Sequence, residues 1–490
     1  MPVAMEVLLL RPVPGNERFG LGPFFRIEPL GMEYIAAALD ARGHRVTLVD
    51  LRFSKPLSHY ITTHRPGLVG IAGMHALETD AVRALAAEVR RLAPRAFIIV
   101  GGHTAAAYPA PFLTAQVDAV CVDDGERTLP LLADALEGGH SVEQVPGLVL
   151  ADPEEGERHT LGDTGTLALD DVPLPARQHV AGWRHRYACL AHRPTWLVET
   201  ARGCPFRCSF CSIWQLHHRS VRERSIEAVC RDLAAVGDHV FVADDLFWHH
   251  PSRSLALAEE LKRRGVRKQW MLVQSRVDVV ARHPELLEAW KPIAREFDVF
   301  FGLEAATNEG LKGLDKDTTV ARAAEGIDVA RRLGYGVTGN FVIDPNWQEP
   351  DFERLWAFVE RHALWQAGFT ILTPLPGTDY YREQLPRLAA AEWAQFDMHH
   401  LLWEPRLGAR RFYELYCETW RRSVLNLSGR KKWHQWLRDV KIKDLWFLTR
   451  MLHQTQRMMD PTSYLAEHHL VDPGTWRARS EPTPQVRHHA

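Results

Sequence analysis

An α/β protein in three parts is what this chain of 490 residues predicts: a Rossmann-like, flavodoxin-like unit, then a partial (β/α)6 barrel, then a helical carboxyl-terminal region. Three observations lead there. Short continuous apolar runs alternate with amphipathic helical segments, the mark of parallel sheets buried on both faces. The alternation comes in two series, separated over 151–193 by a stretch rich in Pro, Gly and charge with little periodicity. Past residue 400 it stops, and aromatic residues such as Trp403, Phe412, Tyr413, Tyr416 and Trp420 crowd the sequence. The expected domains are therefore 1–150 and 194–400, joined by a linker over 151–193 and followed by helices and a tail over 401–490. With 46% apolar and 24% charged residues the chain is globular, and it is too long for one ordinary core.

The first series opens with strand Val7–Leu10, stopped by Arg11 and Pro12. After a Gly/Pro-rich loop to Pro29, a helix runs from Leu30 to Arg42 and ends at Gly43, where a C-cap glycine is expected. Strands Val46–Leu51 and Leu68–Ala72, helix Glu78–Leu92, strands Phe97–Val100 and Ala119–Val122 and helix Thr128–Leu136 complete the unit. The second series has strands Thr195–Thr200, Val240–Ala243, Trp270–Val273, Val299–Leu303, Val337–Ile343 and Phe369–Thr373. Helices Ser225–Ala235, Pro251–Arg264, Pro284–Ala294 and Thr319–Leu333 fall between them. Six such units suit a partial barrel, and in both folds ligands sit beyond the carboxyl ends of the strands.

Those ends carry the chemistry. The first barrel strand is followed by Cys204-x-x-x-Cys208-x-x-Cys211, opened by Gly203. Three thiolates at this spacing suit one iron–sulfur cluster, and a [4Fe–4S] cube normally takes four cysteines. No fourth completes the motif, so one iron would stay open to another ligand. Structural zinc needs four ligands, usually in two pairs, and His217 and His218 follow on no zinc spacing. Asp244 and Asp245 follow the second strand, Gln274, Arg276 and Asp278 the third, Glu304 the fourth and Asp344 the fifth. A charged residue past a strand often only caps a helix or turn. That explanation weakens when nearly every strand end carries one. In the first unit the ends hold Met74-His75 and Gly101-Gly102-His103-Thr104, where paired glycines let a flat ligand or phosphate approach, or simply make a turn.

The triplet resembles the CxxxCxxC motif of the radical S-adenosylmethionine (radical SAM) enzymes. The resemblance implies that Cys204, Cys208 and Cys211 hold a [4Fe–4S] cluster and that S-adenosylmethionine chelates the fourth iron, with Phe210 by the adenine. The segments "VGIAG", "FIIVGGHTAAAYP" and "VDAVCVDDGERTLPLLADAL" resemble the cobalamin-binding domain that precedes the catalytic domain in one large radical SAM subgroup. The likeness covers residues 5 to 385. It places Met74, His75, Gly101, Gly102, His103 and Thr104 at the cobalamin. The Asp-x-His-x-x-Gly signature for a lower cobalt ligand is absent; His75 and His103 either approach the corrin or are packed loop histidines. Asp244 and Asp245 stand where the family binds the methionine amino group, and Arg276 and Glu304 near the ribose and carboxylate.

The reaction so implied is methylation of an unactivated carbon: one S-adenosylmethionine methylates cobalt, and a second yields the 5′-deoxyadenosyl radical that removes hydrogen. An electron donor such as flavodoxin or ferredoxin is implied too. "FFRIEPLGMEYIAAAL" and the overall size resemble hopanoid C-3 methylases, so the expected substrate is a small, apolar molecule. A methylase of another natural product, an oxidative cyclase of the magnesium-porphyrin type and an iron–sulfur/cobalamin sensor stay open. A net charge of −2 argues against a nucleic-acid partner. Seven cysteines, three in one motif, suit a reducing interior, and the amino terminus shows no signal pattern, so a cytoplasmic protein is expected. The basic amphipathic stretch from Arg430 to Leu452 could lie in a membrane interface or pack on the core, and the last twenty residues are expected to be a tail.

Overall fold

The computed structural model describes residues 4–14, 25–152, 156–160, 165–190, 192–364, 367–388, 391–424 and 445–468. They form two compact units: the described residues within 1–16, 27–187 and 222–232 in one, and those within 17–26, 188–221 and 233–490 in the other.

In the first unit, strands β1 (Glu6–Arg11), β2 (Arg45–Asp50), β3 (Leu68–Ala72), β4 (Phe97–Gly101) and β5 (Ala119–Cys121) pair in the order β2-β1-β3-β4-β5, all parallel. This is the flavodoxin-like order. Helices α1 (Leu30–Ala41), α2 (Leu57–His64), α3 (Thr79–Leu92), α4 (His103–Ala107) and α5 (Gly125–Gly138) connect them. Successive residues of β1 serve opposite faces, as a strand requires. Val7 and Leu9 pack with Leu39 and Leu132, whereas Leu8 and Leu10 pack with Val82 and Val89. One expectation is corrected. The sheet is not wholly parallel, because β6 (Leu148–Asp152) and β7 (Gly156–His159) extend it antiparallel past β5. Leu150-Ala151-Asp152 alternates weakly, so the expected linker concealed a strand pair.

The second unit is built on β8 (Trp196–Val198), β9 (His239–Val242), β10 (Lys268–Ser275), β11 (Ala294–Glu304), β12 (Gly336–Ile343) and β13 (Gly368–Ile371). They pair in sequence order, every pair parallel, and form an open partial barrel. After α6 (Ile213–Leu216) and α7 (Ile226–Ala235), helices α8 (Pro251–Arg263), α9 (Val277–Arg282), α10 (Pro284–Trp290), α11 (Asn308–Gly313), α12 (Val320–Arg332), α13 (Glu349–Arg361) and α14 (Asp379–Gln384) flank them. Thr307, Thr319 and Thr378 each cap the next helix by accepting a backbone N–H, which fixes the loops at the strand ends. Helices α15 (Ala409–Val424), α16 (Leu445–Met458) and α17 (Pro461–Glu467) make the carboxyl-terminal region. Residues 430–444 of the basic stretch and the last twenty residues lie outside the described residues. Among the described residues no helix is long and apolar enough to cross a membrane.

Candidate active site

The cysteine loop begins where β8 ends. Arg202 and Glu199 pair at 3.0 Å, and Gly203 turns the chain with φ +103°. A Cβ on Gly203 would lie 2.2 Å from the carbonyl oxygen of Ser220, so only glycine fits. Cys208 is buried, and Cys204 and Cys211 are half-buried. The Cys208 carbonyl accepts from Cys211 N–H and from Trp214 Nε1, both at 3.1 Å. Ser209 N–H donates to Leu314 O, and Ser209 O accepts from Tyr380 N–H, each at 3.3 Å. The loop is thus held from both sides, with Phe210 half-buried within it. Burial pushes all three thiols up, Cys211 to about 12, while the charge of Lys316 acts against burial at Cys208. Among the described residues no three His, Cys, Asp or Glu side chains lie close enough for a single metal ion. A cube gives each thiolate its own iron, so that spacing does not bear against a cluster.

The strand-end charges gather around this loop in different ways. Asp244 is 1% exposed, and its Oδ1 accepts from Thr200 and Ala201 N–H at 2.6 and 3.1 Å. Its Oδ2 accepts from the Thr200 hydroxyl at 2.5 Å. Burial raises its carboxyl to about 7 against those bonds. Asp245 Oδ2 accepts from Gly203 N–H at 2.8 Å, and burial raises that carboxyl to about 6. Arg276 is buried, donates to Asp278 Oδ1 at 2.9 Å and to Asp317 O at 2.8 Å, and lies 3.8 Å over the Phe206 ring inside the cysteine motif. Glu304 ends β11 at a bulge with φ +62° and pairs with buried Lys316 at 3.0 Å. Burial works against the Lys316 ammonium, but Glu304 and then Cys208 raise its pKa. Asp344 instead accepts from Asn346 N–H and Nδ2 at 2.7 and 2.8 Å, the turn chemistry of a strand-end aspartate. Phe206 and Lys316 were not singled out by sequence reasoning. Phe206 sits inside the triplet, where spacing alone marks it, whereas Lys316 ends the run "FFGLEAATNEGLKGLDK" and meets Glu304 only through the fold.

In the first unit, β3 and β4 bring the other predicted residues together. Gly73 N–H donates to Gly101 O at 2.6 Å, and the Thr104 hydroxyl donates to Met74 O at 3.0 Å. Gly102 has φ +115°, and a Cβ there would meet Met74 Sδ at 2.9 Å. Met74 is 45% exposed, an apolar side chain left facing outward beside bare backbone. His75 N–H donates to buried Glu78 at 3.1 Å. Burial, then Arg11 and His103, hold His75 down to about 3, and burial holds His103 to about 4, so both imidazoles are neutral.

Two family profiles define the class of protein. The one described as B12 binding domain matches residues 24–133, and the Radical SAM superfamily matches residues 198–359. Hopanoid C-3 methylase of Methylococcus capsulatus is 31% identical over 404 residues, 81% of this chain and 76% of the relative. The chain therefore belongs to the cobalamin-binding radical SAM family of methyltransferase type, and it is an enzyme. Anaerobic magnesium-protoporphyrin IX monomethyl ester cyclase of Rubrivivax gelatinosus is 25% identical, covering 77% of this chain and 70% of its own. The cobalamin-dependent radical enzyme OxsB, solved with aqua-cobalamin and S-adenosylmethionine, has the same fold: TM-score 0.68 at 17% identity, over 95% of this chain and 76% of that one. The methyltransferase TsrM of Kitasatospora setae, with cobalamin and a [4Fe–4S] cluster bound, gives 0.62 at 19%, over 79% and 76%. The cofactors of the family are a [4Fe–4S] cluster, S-adenosylmethionine and cobalamin. The residues fit them. Three thiols on one clamped loop suit the cluster, and a glycine floor beside exposed Met74 suits a flat macrocycle.

Proposed function

We propose that this enzyme methylates an unactivated carbon of an apolar, polycyclic substrate, a hopanoid at C-3. The observation that carries the reading is the 31% identity to hopanoid C-3 methylase across 81% of the chain. An inert C–H bond offers no acid, base or leaving group, so the bound cofactors supply the radical and the methyl group, and the protein supplies orientation and exclusion of water. In this reading residues 1–150 carry cobalamin at Met74, His75, Gly101, Gly102, His103 and Thr104. Residues 194–400 carry the radical chemistry, with Cys204, Cys208 and Cys211 as cluster ligands and Phe210 at the adenine. The region 401–490 serves the substrate. Arg276 and Glu304 bind S-adenosylmethionine. Of the aspartates, Asp245 takes the amino group, because both oxygens of Asp244 are already engaged, Oδ1 by the Thr200 and Ala201 N–H groups and Oδ2 by the Thr200 hydroxyl. A low-potential flavodoxin or ferredoxin supplies electrons, and an apolar substrate favours contact with a membrane surface.

The test is anaerobic turnover of the reconstituted enzyme with a hopanoid and S-adenosylmethionine deuterated in its methyl group. The expected product carries the labelled methyl, formed alongside 5′-deoxyadenosine and S-adenosylhomocysteine. A second reading, oxidative cyclisation, is favoured by the 25% identity to the cyclase. A product that gains oxygen or loses hydrogen without gaining methyl would establish it instead.

A further inference from the structure

Glu304 and Lys316 form an ion pair that is hard to explain by stability. They are 7% and 8% exposed, and their charges meet at 3.0 Å. Taking two charges out of water costs several kcal/mol per ion, and apolar side chains of similar volume often serve as well. The backbone is nevertheless bent to make room for this pair. Glu304 stands at φ +62°, at a bulge in β11. A Cβ on Gly302 would lie 2.5 Å from Glu304 Oε1 and 2.9 Å from Lys316 Nζ. Residue 302 must be small for the socket to exist.

The socket is tied to the cysteine loop. Leu314, two residues before Lys316, accepts from Ser209 N–H at 3.3 Å, next to Cys208. Asp317, one residue after it, accepts from Arg276 at 2.8 Å, and Arg276 stacks on Phe206 between Cys204 and Cys208. The segment that carries Lys316 is thus fastened to the cysteine loop on either side of the lysine, by Leu314 to Ser209 and by Asp317 through Arg276 to Phe206.

We propose that Lys316 is a positioning residue that sets the reduction potential of the cluster held by Cys204, Cys208 and Cys211. The inference rests on the reading of those cysteines as cluster ligands. Adding one electron to a cluster already carrying three thiolates adds negative charge in a buried place, and a fixed cation beside it favours the reduced state. Glu304 then serves as the counter-charge that limits how far Lys316 raises the potential.

The test is a redox titration of the reconstituted full-length enzyme with titanium(III) citrate, without S-adenosylmethionine, followed by EPR of the reduced cluster. Lys316→Met is expected to move the midpoint to more negative potential with iron content unchanged, and Lys316→Arg to stay near wild type. Glu304→Gln is expected to move it the other way, because Lys316 is left uncompensated. Damage to packing would not give opposite signs in the two variants. A Lys316→Met midpoint equal to wild type at full iron content overturns the proposal. If Lys316→Met fails to load iron, Glu304→Gln decides: an unchanged or more negative midpoint overturns it. Wild-type enzyme that takes up no four-iron cluster would instead overturn the reading beneath it.

Discussion

Gly203 shows how much of the cluster loop is decided by a single residue. Its φ of +103° is strained for any L side chain, and its missing Cβ leaves the space taken by Ser220 O. The backbone term alone is about 1–3 kcal/mol. Gly203→Ala is therefore expected to lower the unfolding midpoint and to leave the reconstituted protein short of iron, read by iron and sulfide analysis. Serine at Cys204, Cys208 or Cys211 is expected to abolish iron retention, whereas Cys417→Ser, at a buried cysteine of α15, leaves it intact. The cysteines were legible because their spacing is local. Lys316 was not, because its meaning depends on a bulge in β11 that brings Glu304 against it.

At the scale of elements, every parallel strand was read, Leu68–Ala72 to the residue, because buried strands write continuous apolar runs, but β11 begins at Ala294 rather than Val299, where charged Arg295 and Glu296 break the run. The strand pair β6 and β7 was missed because its exposed members Ala151, Arg158 and His159 carry no such run. A second network, also invisible in sequence, fastens α17 to the segment after β13. His400 Nδ1 meets Asp397 Oδ2, and its Nε2 meets Glu467 Oε2, both at 2.9 Å. Burial opposes the imidazolium, but Asp397 and Glu467 raise His400 to about 9, and the same pairing holds Asp397 at about 2. A raised histidine gives stability that is complete below its unfolded value of 6.5 and lost as pH rises through about 9. The size is on the order of 3 kcal/mol. The stability gap between wild type and His400→Gln, measured by chemical denaturation, should be widest near pH 6 and close as pH approaches 9.5. A gap that does not change with pH would mean that His400 is neutral in the folded protein. At the acid end, Asp397 loses its contribution only as pH falls toward about 2.

At the scale of the whole molecule, the two cofactor surfaces are built on separate sheets from separate residues. A variant with all three motif cysteines changed to serine is therefore expected to bind cobalamin with wild-type stoichiometry while holding no iron, read by absorbance and metal analysis. Loss of both together would contradict that separation. The order of the domains was legible, since each writes its own series of strands. The later return of the chain to the first unit was not. Residues Arg222–Asp232 belong with the first unit through pairs remote in sequence: Arg222 with Asp124 at 2.5 Å, Arg177 with Asp232 at 2.5 Å, and Ser225 N–H with Asp170 at 2.9 Å.

That return of the chain has a consequence for biosynthesis. The first unit lacks part of itself until residue 232 has left the ribosome, and by then the three cluster cysteines have already been made. A fragment ending at the apparent boundary, near residue 193, would lack the partners of Asp124, Asp170 and Arg177. Nascent chains halted there should be protease-sensitive, and those halted far enough beyond 232 to clear the exit tunnel should be protected. The three motif cysteines are thus translated between two pieces of the first unit.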